Sequence, residues 1–139
     1  MKARKVEGLD PAAPLRANAV RIVRTRLAEL NDLAEPALDP GAAQGQHDLR
    51  IAAKRLRYLL EIAEPCFGPA AAGARRAAKE LQGVLGEIHD CDVMLPRADG
   101  IESLQALLRT RRELLFGRFR ELWRAEAEKG TWAALERSL

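Results

Sequence analysis

His47, Arg50, Lys54 and Arg57 stand three, four and three residues apart, a spacing that gathers side chains on one face of an α-helix. Opposite them, Leu49, Ala52, Ala53, Leu56, Leu59, Leu60 and Ala63 recur with the period of a buried stripe. Between Asp48 and Glu61 there are four cations and no acid. Such a row repels itself by a few tenths of a kcal/mol per like-charged neighbour. It reads either as a solvated charged face or as one that expects an anion from outside the chain. Consecutive cations are about 4.5 to 6 Å apart along the axis, from a rise of about 1.5 Å per residue. A flexible polyanion meets such a row with successive phosphates: arginine grips two oxygens of one phosphate, and lysine supplies a point charge. His47, near the expected helix start, either donates to phosphate or caps the helix. In the first case protonation near its usual pKa of about 6.5 tightens binding.

Other residues suggest other chemistry. Two His-Asp pairs, His47-Asp48 and His89-Asp90, the second followed by Cys91 and Asp92, invite a metal reading, with zinc, manganese or iron in a phosphohydrolase. Consecutive residues point in different directions on a helix, so that run cannot deliver all its side chains to one ion. Asp48, in what reads as a first helical turn, has a simpler place facing the positive helix end. The expectation is no metal, no cofactor and no catalysis. Cys91 lacks an adjacent base in the right direction and reads as a core thiol. Neither a glycine-rich phosphate loop nor a serine elbow is present. Nucleic acid is the main competitor, but only six aromatics exist, and Tyr58 alone interleaves with the cations. The cation row also has no Asn or Gln to read bases.

The elements that must position these residues are helices. Alanine, leucine, arginine and glutamate dominate, and β-branched and aromatic residues are few. Residues 1–9 read as a basic arm. A first helix starts between Asp10 and Pro14 and carries Val20, Val23, Leu27 and Leu30, with Arg21 and Arg24 on one flank and Arg26 on the other. Residues 36–46 read as a loop, and Glu64-Pro65 as the stop of the second helix. The short run 66–69 makes the third helix, about 70–95, double back. It carries Ala74, Ala77, Ala78, Leu81, Leu85 and Ile88 on its apolar side, and a polar row of Arg75, Lys79 and Gln82 ending near His89. Gly73, Gly83 and Gly86 within it serve close packing or ligand access. Pro96 ends it, and Asp99 with Glu102 suggests a capping box for a fourth helix reaching Lys129 and stopped by Gly130. Residues 131–139 form a tail or a short helix. The expected fold is all-α, an antiparallel four-helix bundle over 10–130.

A chain of 139 residues holds one domain. Its net charge of +3 says less than the local charge. No apolar run spans a bilayer, the N-terminus has no secretory core, and Cys66 and Cys91 read as reduced thiols, so a cytoplasmic location is expected.

HDLRIAAKRLRYLL, residues 47–60, resembles the signature of the CHAD family, the conserved histidine α-helical domain, and LQGVLGEIHDCDVML, residues 81–95, is similar to its second landmark. The resemblance implies a non-catalytic helical module that binds inorganic polyphosphate and localises to polyphosphate granules. It implies His47, Arg50, Lys54 and Arg57 as ligand contacts, and extends to Arg21 and Arg24 on the first helix and to Lys79 and His89 on the third. Family members commonly contain two four-helix halves, whereas this chain is long enough for one. Either one half suffices, or two copies pair, and Phe116, Phe119 and Trp123 offer apolar surface for a homodimer.

Overall fold

The computed structural model describes residues 1–139 and contains five helices and no strand: α1 (Leu15–Ala37), α2 (Ala43–Phe67), α3 (Pro69–Arg97), α4 (Glu102–Lys129) and α5 (Thr131–Ser138). No helix is long and apolar enough to cross a membrane. The apolar stripes are the core, except that Leu59 of the second stripe is only partly buried. Val23, Leu27 and Leu30 of α1, Leu49, Leu56 and Leu60 of α2, and Leu81, Leu85 and Ile88 of α3 are all at most 2% exposed. Ala52, Ala53, Ala74 and Ala78 are fully buried, and their small side chains let α2 and α3 approach closely.

Each long helix runs antiparallel to the next. Arg16 donates to the Cys66 carbonyl at one end of α1–α2, and Gln46 to the Ala37 carbonyl at 3.2 Å at the other. Across α2–α3, Glu64 meets Arg75 at 2.9 Å while His47 stacks on His89. Across α3–α4, Arg112 meets Asp92 toward the end of α3 at 2.5 Å, while Glu126 and Lys129 at the end of α4 line one cavity with Gly73 and Arg76 at the start of α3. α1 and α4 make no extended contact with one another. The four expected long helices are present, and of the two readings of residues 131–139 the short helix is the one that forms. Residues 131–138 form α5, which lies against α3, α4 and α1 and buries Trp132 and Leu135.

Several boundaries depart from the sequence reading. Pro36, Pro65 and Pro96 each lie inside the last turn of a helix rather than ending it. A proline removes one bond to the carbonyl four residues back, and in a last turn little helix remains to be lost. A single residue, Gly68 at φ 69°, then connects α2 to α3. The capping box at Asp99 and Glu102 does not form, because Ile101 precedes α4 without a side-chain cap. Asp10 caps the turn before α1, accepting from the Ala12 amide at 2.9 Å. Gly130 stops α4 in the left-handed region as expected.

Phe116 and Phe119 belong to the core, and Trp123 stacks on Trp132 at 5.8 Å, so these aromatics are not a free dimer surface. On the same helix Leu107 and Leu114 are 63% and 72% exposed, because α4 is covered mainly by α3 and α5. The basic arm is tied down. Arg4 pairs with Asp32 at 2.8 Å, its amide donates to Glu29, and Arg55 donates to the Met1 carbonyl at 2.7 Å.

One guanidinium joins four parts of the chain. Arg112 of α4 donates to both Asp92 oxygens on α3, to Gln46 Oε1 on α2 at 2.6 Å, and to the Pro40 carbonyl between α1 and α2 at 3.0 Å. Removing it leaves Asp92 and the Oε1 of Gln46, both largely shielded, without a partner. Arg112→Met should lower unfolding free energy by about 3 kcal/mol, measured by urea titration; a loss no larger than that of an exposed control such as Arg120→Met would refute this role.

Candidate anion-binding site

The one-residue link at Gly68 fixes which residues of α2 and α3 face each other. Between the two helices, on the side away from α1, lies an open trough of about 390 Å³ with no hydrophobic residue in its lining. α2 contributes Arg50 and Arg57, and α3 contributes Lys79, Gln82, Glu87 and Asp90. The floor passes over Gly83 and Gly86. A Cβ at Gly83 would meet nothing within 4 Å, and one at Gly86 would lie 3.5 Å from Arg50 Nε. Gly83 therefore leaves open space in the trough, whereas Gly86 lies within van der Waals reach of the Arg50 side chain on α2.

Lys54 sits on the same face of α2, between Arg50 and Arg57, half-buried and beside the trough lining. His47 lies one turn beyond Arg50, stacked on His89 with ring centroids 4.2 Å apart and planes inclined by 23°. Thus Arg50, Arg57 and Lys79 share the trough, and the two histidines form a pair at one end of the same helix–helix seam. Arg21 and Arg24 do not join them. Arg24 pairs with Glu136 of α5 at 3.3 Å, and the Arg21 guanidinium lies against Gly8 of the N-terminal arm. Neither Arg21 nor Arg24 lines the trough.

The charge pattern is less one-sided than α2 alone suggests. Arg57 folds onto Glu61, one turn on, at 3.3 Å, and lies over the Tyr58 ring at 4.5 Å. Arg55, the fourth cation of the row, faces away toward Met1. Glu87 and Asp90 bring acids to the Arg50 end, and Glu87 is itself paired with Arg111. What remains unmet is a set of buried polar atoms along the seam. His47 Nδ1, Arg50 Nε, Arg57 Nε and Gln82 Oε1 have no hydrogen-bond partner. A buried polar group without a partner costs about 1 to 3 kcal/mol; an anion offers acceptors to the two arginine nitrogens but no donor to Gln82 Oε1.

The histidine and aspartate side chains of the metal reading are dispersed. Asp92 is held by Arg112, Asp48 accepts from Gln44 at 3.0 Å, and no three His, Cys, Asp or Glu residues gather where they could hold an ion. α2 begins at Ala43, so Asp48 lies in the second turn rather than the first, and His47 is the fifth residue and not a cap. Cys91 is 3% exposed, and burial pushes its thiol up, away from the nucleophilic thiolate. Gln82, Gly83 and Gly86 are site residues that charge alone did not select. Their signal was positional: they lie within two turns of Lys79 on the same helix.

Burial holds the His47 imidazole below its ordinary pKa, with His89 and then Arg50 adding repulsion. The fold thus favours the neutral ring, and just below pH 6.5 the unfolded chain binds more protons than the native one. Stability then rises with pH through that window and falls on acidification. The ligand-free protein should melt at lower temperature as pH drops below about 6.5, and His47→Gln should flatten that part of the profile. Parallel profiles for the two proteins would refute the assignment.

A family model described as the CHAD domain matches residues 2–99. No curated protein and no solved structure matches the chain at a significant level. The matched stretch takes in α1, α2 and α3, and with them both walls of the trough and the histidine pair, while α4 and α5 lie beyond it. With well over half of its length matched, this chain belongs to the CHAD domain family.

Proposed function

We propose that the protein binds inorganic polyphosphate, or a polyanion of the same kind, in the trough between α2 and α3, and that it does so without catalysis. The observation that carries this reading is the line of buried nitrogens on His47, Arg50 and Arg57 that have no acceptor within the chain. The association of the CHAD family with polyphosphate binding supports it. Successive phosphates along a flexible chain supply acceptors at the spacing of the α2 turns. Arg50 and Lys79 hold separate phosphates from opposite walls, and Arg57 exchanges the Glu61 carboxylate for a phosphate oxygen. Asp90 repels the chain at the Arg50 end, which directs the anion along the trough toward Arg57 and Lys79. Association with polyphosphate granules in the cytoplasm follows from the same reading. A single copy carries both walls of the trough, so a homodimer is not required for binding.

Polyphosphate is preferred over duplex DNA on mechanical grounds. A stiff double helix cannot follow a trough between two helices, and α2 offers no Asn or Gln among its cations to read bases. Replacing Arg50, Lys54 and Arg57 together by glutamine should abolish binding of long-chain polyphosphate. Melting should change little, since the side chains lie outside the core and an ion pair such as Arg57–Glu61 contributes about 0 to 1 kcal/mol. Binding by the parent should weaken steeply with salt as counterions are released, by analogy with nucleic acids. Parent-like binding by the triple variant at physiological salt would overturn the proposal. Equal competition by duplex DNA at equal phosphate concentration would favour the nucleic-acid reading instead.

A further inference from the structure

A cavity larger than the trough adjoins it on the other side of α3. It is an open basin of about 1020 Å³ between α3, α4 and the start of α5. Trough and basin share Lys79, Gly83 and Glu87 in their linings. α3 therefore forms a low divide between them, and at Gly83 no side chain stands on that divide, where even a Cβ would touch nothing within 4 Å.

Formal charge in the basin is nearly balanced, but its pairing is not. Glu87 is held by Arg111, and Glu126 by Lys129 at 3.4 Å and by the Thr131 hydroxyl. Arg76 and Lys79 of α3 and Arg118 of α4 have no ion-pair partner, against Glu80 as the one acid of the basin without a partner. Once the paired groups are set aside, an anion entering the basin meets three cations and one carboxylate. Arg76 and Arg118 are exposed and support no part of the core.

We infer that the basin is a second anion subsite, in which a polyanion leaving the trough crosses α3 at Gly83 and is held by Arg76 and Arg118. Lys79 stands at the crossing and serves both parts of the path. The inference rests on the trough reading and deepens it. It assigns the protein to long-chain polyphosphate, because a ligand only a few phosphates long fills the trough and never reaches Arg118. It also gives α4 a part in binding.

The test compares tripolyphosphate with long-chain polyphosphate, by calorimetry across a range of salt, on four proteins. Beside the parent stand the basin variant R76Q/R118Q, the trough variant R50Q/K54Q, and the control R120Q/R124Q, which removes two exposed cations elsewhere on α4. The basin variant should keep its affinity for tripolyphosphate. It should bind long chains about tenfold more weakly, with a salt slope reduced by about two, because two cations no longer neutralise phosphates. The control should bind both ligands like the parent. Unchanged long-chain affinity in the basin variant, an equal loss for both ligands, or an equal loss in the control would overturn the subsite. Loss of both ligands by the trough variant supports the path from trough to basin. Retention of both by that variant refutes the trough reading itself, an outcome distinct from failure of the basin alone. Melting curves of all four proteins should coincide within a few degrees, and a basin variant that melts far below the parent would show Arg76 or Arg118 to be structural instead.

Discussion

The arrangement of the long helices depends on the guanidinium of Arg112. Helices α1 and α4 do not pack along one another, so the apolar contacts of α4, chiefly with α3, are joined by no direct helix packing onto α1. Arg112 supplies the missing link, directing its donors to Asp92, Gln46 and the Pro40 carbonyl. Gln46 passes the constraint on, its amide nitrogen donating to the Ala37 and Asp39 carbonyls. A largely shielded ion pair adds little net stability, because desolvation offsets much of its attraction. Its contribution is definition: it permits one placement of three helices and a loop. His47 is the next residue after Gln46, so the same network fixes where the anion-facing row of α2 begins.

Given that placement, the trough follows from a connection with no slack. With Gly68 as the whole link, the pairs Glu64–Arg75, Arg50–Gly86 and His47–His89 are all set by counting outward from one turn. Cations on α2 thereby meet a wall of α3 that alternates between side chains and bare backbone. Local charge, not the total of +3, is the operative quantity. It is shaped by acids as much as by bases, since Glu61 and Glu87 are each drawn onto a neighbouring arginine.

The parts legible in the sequence were those set by short-range periodicity. The stripes of α1, α2 and α3, Leu59 apart, fell in the core, and the shared face of Arg50, Lys54 and Arg57 was visible from their spacing. What was hidden depends on partners far along the chain. Arg112 reads as one more surface arginine until residues 66 and 72 positions away meet it. Arg21 and Arg24 looked equivalent to the α2 cations because a helix face does not say which neighbour it will meet. Pro36, Pro65 and Pro96 marked helix ends to within a turn, and missed because a last turn tolerates the loss of one bond. Leu107 and Leu114 matched the apolar pattern of α4, yet α4 has neighbours on too few sides to cover them.

The placement of aromatic residues separates two signals optically. The chain has two tryptophans, and both lie in the stacked pair between α4 and α5. Its single tyrosine lies beneath the Arg57 guanidinium, outside the trough lining. Indole emission therefore follows the docking of α5, while phenol absorbance follows events at Arg57. The protein carries an intrinsic chromophore at each of the two places, with no label added.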